Sequence, residues 1–129
     1  MGNIVVGYVA TPEGEAALDW ALDSAQANQQ GVVVIASGTP HPDVSPEDVV
    51  EQLEARLADS GLTGEVVHFI GAAGAADSIL DHASRVSADL VVIGQRRRSP
   101  VGKLVLGSTS QRVLLEADCP VVAVKAPKV

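Results

Sequence analysis

"DLVVIGQRRRSPVGKLVLGSTSQRVLLEADCPVVAVK", residues 89–125, decides the fold. It opens on a short apolar run, residues 89–94, bounded by Asp89 and Gly94, which reads as a buried strand. A glycine-bounded cationic loop follows, with Arg96, Arg97, Arg98 and Lys103 inside eight residues. "STSQRVLLEAD", residues 108–118, reads as a helix, and residues 119–125 as a further apolar strand ending in Lys125. Strand, loop, helix and strand in this order form a crossover unit, and such units join parallel strands with right-handed connections.

The same grammar extends back to the start of the chain. Residues 3–9, 31–38 and 64–71 are apolar runs with turn residues at their ends, and each predicts a buried strand. Between them lie three helix patterns. Thr11-Pro12-Glu13 is a start signal, with a capping hydroxyl, proline at the first helical position and an acid in the first turn. It predicts a helix presenting Ala17, Trp20, Ala21 and Ser24 on one face. Ser45-Pro46-Glu47-Asp48 is a second start signal, leading to Val49, Val50, Leu53 and Leu57 and stopping at Gly61. The third pattern, residues 75–88, turns Ile79, Leu80, Ala83 and Val86 inward. Five strands alternating with four helices predict one doubly wound α/β domain over residues 1–129, with no internal repeat and no linker.

Composition agrees. The chain has 129 residues, enough to bury a core without disulfides or metals. It is 47% apolar yet holds one Phe, one Trp and one Tyr, so the core is built from Val, Leu, Ile and Ala. Cys119 is alone and cannot form an internal disulfide, which suits a reducing cytoplasm. No apolar run is long enough to cross a bilayer, and the start of the sequence lacks the basic region of a signal peptide.

Charge is unevenly placed. Residues 90–115 contain no Asp or Glu and sum to +5, which leaves −12 elsewhere to reach the net −7. An acidic protein is poorly suited to tracking nucleic acid, whereas a local basic pocket suits a small anion. In open parallel sheets ligands sit beyond the carboxyl ends of the strands, where strand order reverses. The basic loop leaves such an end at Gly94 and arrives at a helix start, Gly107-Ser108. The free amides of a helix start, the Ser108 hydroxyl and bidentate arginines together form a candidate phosphate cradle. Successive side chains point different ways, so about two of the four cations are expected to face one ligand. A run of cations is also an ordinary solvated loop, and Gly107-Ser108 also shapes and caps a helix. The pattern is neither a Walker loop nor a dinucleotide-binding glycine fingerprint.

On these residues the chain resembles the universal stress protein family, and the resemblance covers almost its whole length. The family's nucleotide signature is Gly, two residues, Gly, nine residues, then Gly-Ser or Gly-Thr. Gly94 and Gly107-Ser108 stand at its two ends with the right spacing. The resemblance implies an adenine nucleotide alpha hydrolase-like fold, a five-stranded parallel sheet in the order 3-2-1-4-5 with helices on both faces. It implies ATP, with Mg²⁺, as the ligand. The loop would wrap the phosphates, Thr109 would supply a backbone amide, Ile93 would pack near the base, and the backbone at Ala36 and Ser37 would meet the adenine. Two positions depart from the family pattern. Arg97 replaces the second glycine, and Val9 and Ala10 stand where an acid that holds the ribose is usual. The missing acid points toward weaker nucleotide binding, while Arg97 leaves two outcomes open, a clash with the family's loop path or an added phosphate contact.

No nucleophile–base pair or nucleophile elbow is visible, and His41, His68 and His82 lack metal-ligand spacing. The reading is a cytoplasmic regulatory module that binds a small phosphorylated ligand rather than an enzyme, with no membrane or nucleic-acid partner. Two alternatives stand beside it: a slow ATP hydrolase, and a dimeric interaction protein that binds no nucleotide. The last strand lies at a sheet edge in the order 3-2-1-4-5. Such an edge invites pairing across a two-fold axis, and the resemblance implies the same. Val121, Val122, Ala123 and Val124 are the expected homodimer contacts.

Overall fold

The computed structural model describes residues 2–37, 45–68, 74–98, 103–105 and 107–127. The elements run β1 (Asn3–Tyr8), α1 (Pro12–Asn28), β2 (Gly31–Ala36), α2 (Pro46–Asp59), β3 (Gly64–His68), α3 (Ala75–Arg85), β4 (Leu90–Arg98), β5 (Lys103–Val105), α4 (Ser108–Glu116) and β6 (Val121–Lys125). β3, β2, β1, β4 and β6 lie side by side and parallel. This is the expected five-stranded sheet, with β6 as its fifth strand. Strand order reverses between β1 and β4, because β2 and β3 build outward from one side of β1 and β6 lies beyond β4.

The strands are continuously apolar because both faces are covered. On one face Ile4, Val6, Tyr8, Val32, Val34 and Val92 pack with Ala17, Leu18, Ala21 and Leu22 of α1 and Leu53 and Leu57 of α2. On the other, Val5, Val33, Ile35, Val91 and Ile93 pack with Ile79 and Ala83 of α3 and Val113 of α4. The alternation along each strand is the period-two pleat. Alanines on α1 let that helix lie close to the sheet.

Two expectations are corrected. The buried stripe of α1 runs through Leu18 and Leu22, while Trp20 is 39% exposed on the helix flank. The residues after Gly94 do not leave the strand as a loop. β4 continues to Arg98 and pairs antiparallel with β5, Arg96 opposite Val105 and Arg97 opposite Leu104. The basic stretch is therefore a β-ribbon.

Candidate functional site

The site is built where β1 and β4 end. Gly94 marks the close approach. A Cβ there would come 2.5 Å from the backbone oxygen of Glu13, so the first turn of α1 rests directly on β4. Gly14 makes the matching contact with the residue that follows β1, where an added Cβ would strike the Val9 oxygen. The Ser37 amide donates to the Tyr8 oxygen at 2.9 Å and holds the exit of β2 beside that of β1. On the far side, the Ser110 hydroxyl donates to the Gly94 oxygen at 3.4 Å and ties the start of α4 to β4.

These contacts frame a cleft of about 280 Å³ at the reversal of strand order. Its lining joins seven of the predicted residues: Val9, Ser37, Ile93, Gly94, Arg96, Gly107 and Thr109. Of the others, Ala10 is exposed at the end of β1, Ala36 is buried in the core, and Ser108 is exposed on the first turn of α4. The backbones of Arg97, Arg98 and Lys103 belong to the ribbon, and their side chains lie outside the described residues. Arg112, counted in the basic window, is engaged elsewhere, with Asp77 at 2.6 Å and Glu116 at 2.8 Å. Thr11, Glu13, Ile79 and Ser110 also line the cleft, and sequence reasoning did not assign them to it. Thr11 and Glu13 read correctly as a helix start, but nothing local says that this start abuts the end of β4.

The two helix starts at the cleft differ. At α1 the Thr11 hydroxyl accepts from the Gly14 amide at 3.1 Å, and Glu13 and Glu15 occupy the first turn. At α4 the capping position is Gly107, which has no side chain to accept from the helix amides, and the first turn carries no acid. Among the described residues, nothing lies within 4 Å of where a Cβ at Gly107 would stand. Among the described residues no side chain caps the amides of α4, and a helix start of this kind favours an anion. Arg96 adds positive charge on the β4 side, 3.9 Å from the Glu13 carboxylate and 71% exposed.

α1 is held from behind by a charged network. The Tyr8 hydroxyl donates to Glu15 at 2.5 Å, and Arg56 of α2 reaches Glu15 at 2.6 Å and Asp19 at 2.5 Å. Burial, then the Glu15 hydrogen bond, pushes the Tyr8 phenol above its ordinary value of 10.0. Burial likewise raises the Cys119 thiol, which makes it a poor nucleophile. Among the described residues no three His, Cys, Asp or Glu side chains gather as metal ligands. A larger cleft, about 680 Å³, lies at the opposite end of the sheet, near Asn3, Gln26, Gln29 and Gln30. Its lining has amides but no charged side chain, so the smaller cleft is the one with the chemistry of an anion site.

These features define an open, doubly wound α/β protein with a crevice at the reversal of strand order. The chain belongs to the universal stress protein family, whose sequence pattern matches residues 1–125. It is 41% identical over 126 residues to a universal stress protein of Mycolicibacterium smegmatis, covering 95% of this chain and 96% of that one. Its fold is similar to the solved universal stress protein of Archaeoglobus fulgidus, with a TM-score of 0.72, 31% identity, and 97% and 99% of the two chains covered. A universal stress protein from that organism in complex with dAMP aligns with a TM-score of 0.66 at 26% identity, over 97% and 98% of the two chains. Among the described residues no helix is long and apolar enough to cross a membrane.

Proposed function

We propose that this protein is a single-domain regulatory module of the cytoplasm that binds an adenine nucleotide in the cleft between β1, β4 and α4. ATP accompanied by Mg²⁺ is the fullest form of that ligand. The observation that carries the reading is the uncapped start of α4 opening into the crevice beside Arg96. Phosphates meet the amides of Ser108 and Thr109, Arg96 supplies charge, and one further cation among Arg97, Arg98 and Lys103 of the ribbon joins it. Ile93 and Ser37 flank the base. The relative solved with dAMP supports this choice of ligand class. Phosphoryl transfer needs an oriented attacking group as well as charge neutralisation, and no described side chain has that role, which favours binding over turnover.

Thermal unfolding with and without millimolar Mg-ATP, ADP and AMP tests the reading. A ligand that binds only the folded state adds RT ln(1 + [L]/Kd), about 2.7 kcal/mol at a hundredfold Kd, so Tm rises. No shift with any of the three nucleotides leaves the second reading, a dimeric interaction module without nucleotide. Val9, Ala10 and Arg97 favour that reading. In both readings the edge strand β6, through Val121, Val122, Ala123 and Val124, pairs two copies of the chain.

A further inference from the structure

Glu13 lines the cleft, and its carboxylate stands 3.9 Å from the guanidinium of Arg96, which lines the cleft as well. The first turn of α1 wedges Glu13 between the exits of β1 and β4, since Gly94 and Gly14 allow backbone contact on both sides. Its side chain is only 18% exposed. Among the described residues its oxygens accept no hydrogen bond, and its ion-pair contact is Arg96 at 3.9 Å, beyond hydrogen-bond reach. Glu15, one step further along the same helix, shows the contrast: it is filled by the Tyr8 hydroxyl and Arg56. An ionised carboxylate only accepts, and it has lone pairs for several donors. A ligand that settles against Glu13 must therefore bring O–H or N–H groups to it, not oxygens.

The cleft thus has two chemically opposite ends. The α4 start and Arg96 offer donors to an anion, and Glu13 offers acceptors to a donor. A nucleotide carries both in one molecule, phosphate at one end of the sugar and a vicinal diol on the other. We propose that Glu13 accepts the ribose hydroxyls and makes the cleft selective for ribose over a sugar that lacks them. The inference rests on the nucleotide reading of the cleft. Glu13 is then the specificity-determining acid of this site, placed on α1 rather than at the end of β1.

The test compares AMP with 2′,3′-dideoxy-AMP by titration calorimetry on the full chain, for the native protein, Glu13→Ala and Glu13→Gln. The native protein prefers AMP by about tenfold or more, the size of a hydrogen bond to a charged group. Glu13→Ala brings the two affinities to within about twofold, and Glu13→Gln, which keeps an acceptor without the charge, falls between. The ratio is the readout because releasing Arg96 alters phosphate binding equally for both ligands. Retained binding of dideoxy-AMP reports that the variants are folded. Equal binding of the two nucleotides by the native protein overturns the role of Glu13 while leaving the nucleotide cleft standing. An AMP preference that survives in Glu13→Ala does the same. If neither nucleotide binds the native protein, both readings fall.

Discussion

Two helices begin at the same cleft, and they meet the same physical problem in opposite ways. The first amides of any helix lack partners within it. α1 supplies its own answer, a Thr11 oxygen on the Gly14 amide and acids in the first turn, and is anchored through Glu15 to Tyr8 and Arg56. α4 begins at Gly107 with no capping side chain and no acid, and its described ion pairs are exposed ones made by Arg112. On the proposed reading, the difference separates a helix start that is part of the scaffold from one left available to a ligand.

The comparison breaks most severely at Gly14. Alanine normally stabilises a helix relative to glycine. Here its Cβ would strike the Val9 oxygen, so Gly14→Ala costs about 3 kcal/mol, an overpacking penalty. Chemical denaturation measures it, and a neutral or stabilising result would show that the start of α1 does not rest on the backbone of Val9 as described.

The anchoring of α1 is sharpened by pH. The folded state raises the Tyr8 pKa above the unfolded value, so the native chain holds this proton more tightly. The stability gained is fully present below about pH 10 and is lost as pH rises through the folded-state pKa. Tyr8 is the one tyrosine of the chain, so phenolate absorbance follows it alone. Tyr8→Phe removes this alkaline loss and, at neutral pH, costs about 1–2 kcal/mol for the missing bond to Glu15. An ordinary titration of Tyr8 in the folded protein would contradict the network.

The smallest change in stability reverses the difference between the helix starts. Gly107→Asp gives α4 a cap of its own. The backbone at 107 is extended, with φ of −67°, and no described atom lies within 4 Å of a Cβ there, so aspartate fits. The free protein gains about 0.5–1 kcal/mol from the cap and the dipole. The new carboxylate occupies the amides and repels phosphate, so the nucleotide-induced rise in Tm disappears. Thermal scans with and without Mg-ATP read both effects, and a variant that is stabilised yet still shifted by nucleotide would place the anion site away from α4.

Much of this was legible without coordinates. The alternation of β-branched runs with capped helical patterns determined the order of elements, and a five-stranded parallel sheet followed. The glycine spacing from Gly94 to Gly107-Ser108 identified two cleft walls that the fold brings together. What escaped has common causes. Arg96, Arg97 and Arg98 lack the apolar alternation of a half-buried strand, so a ribbon whose pairing is backbone-driven read as a loop. Trp20 matched the helical period, but a stripe is set by which flank meets the sheet, and Leu18 and Leu22 take it.

By itself, the sequence determined periodicities, caps and chain order, because these depend on neighbours within a few residues. It therefore specified a doubly wound α/β chain with a basic segment beside a glycine-led helix. Only the tertiary structure decided that the first turn of α1 lies on Gly94, eighty-one positions away, and that Glu13 thereby enters the cleft. Such a contact comes from strand order and from the backbone distance a missing Cβ permits, and no local pattern encodes either.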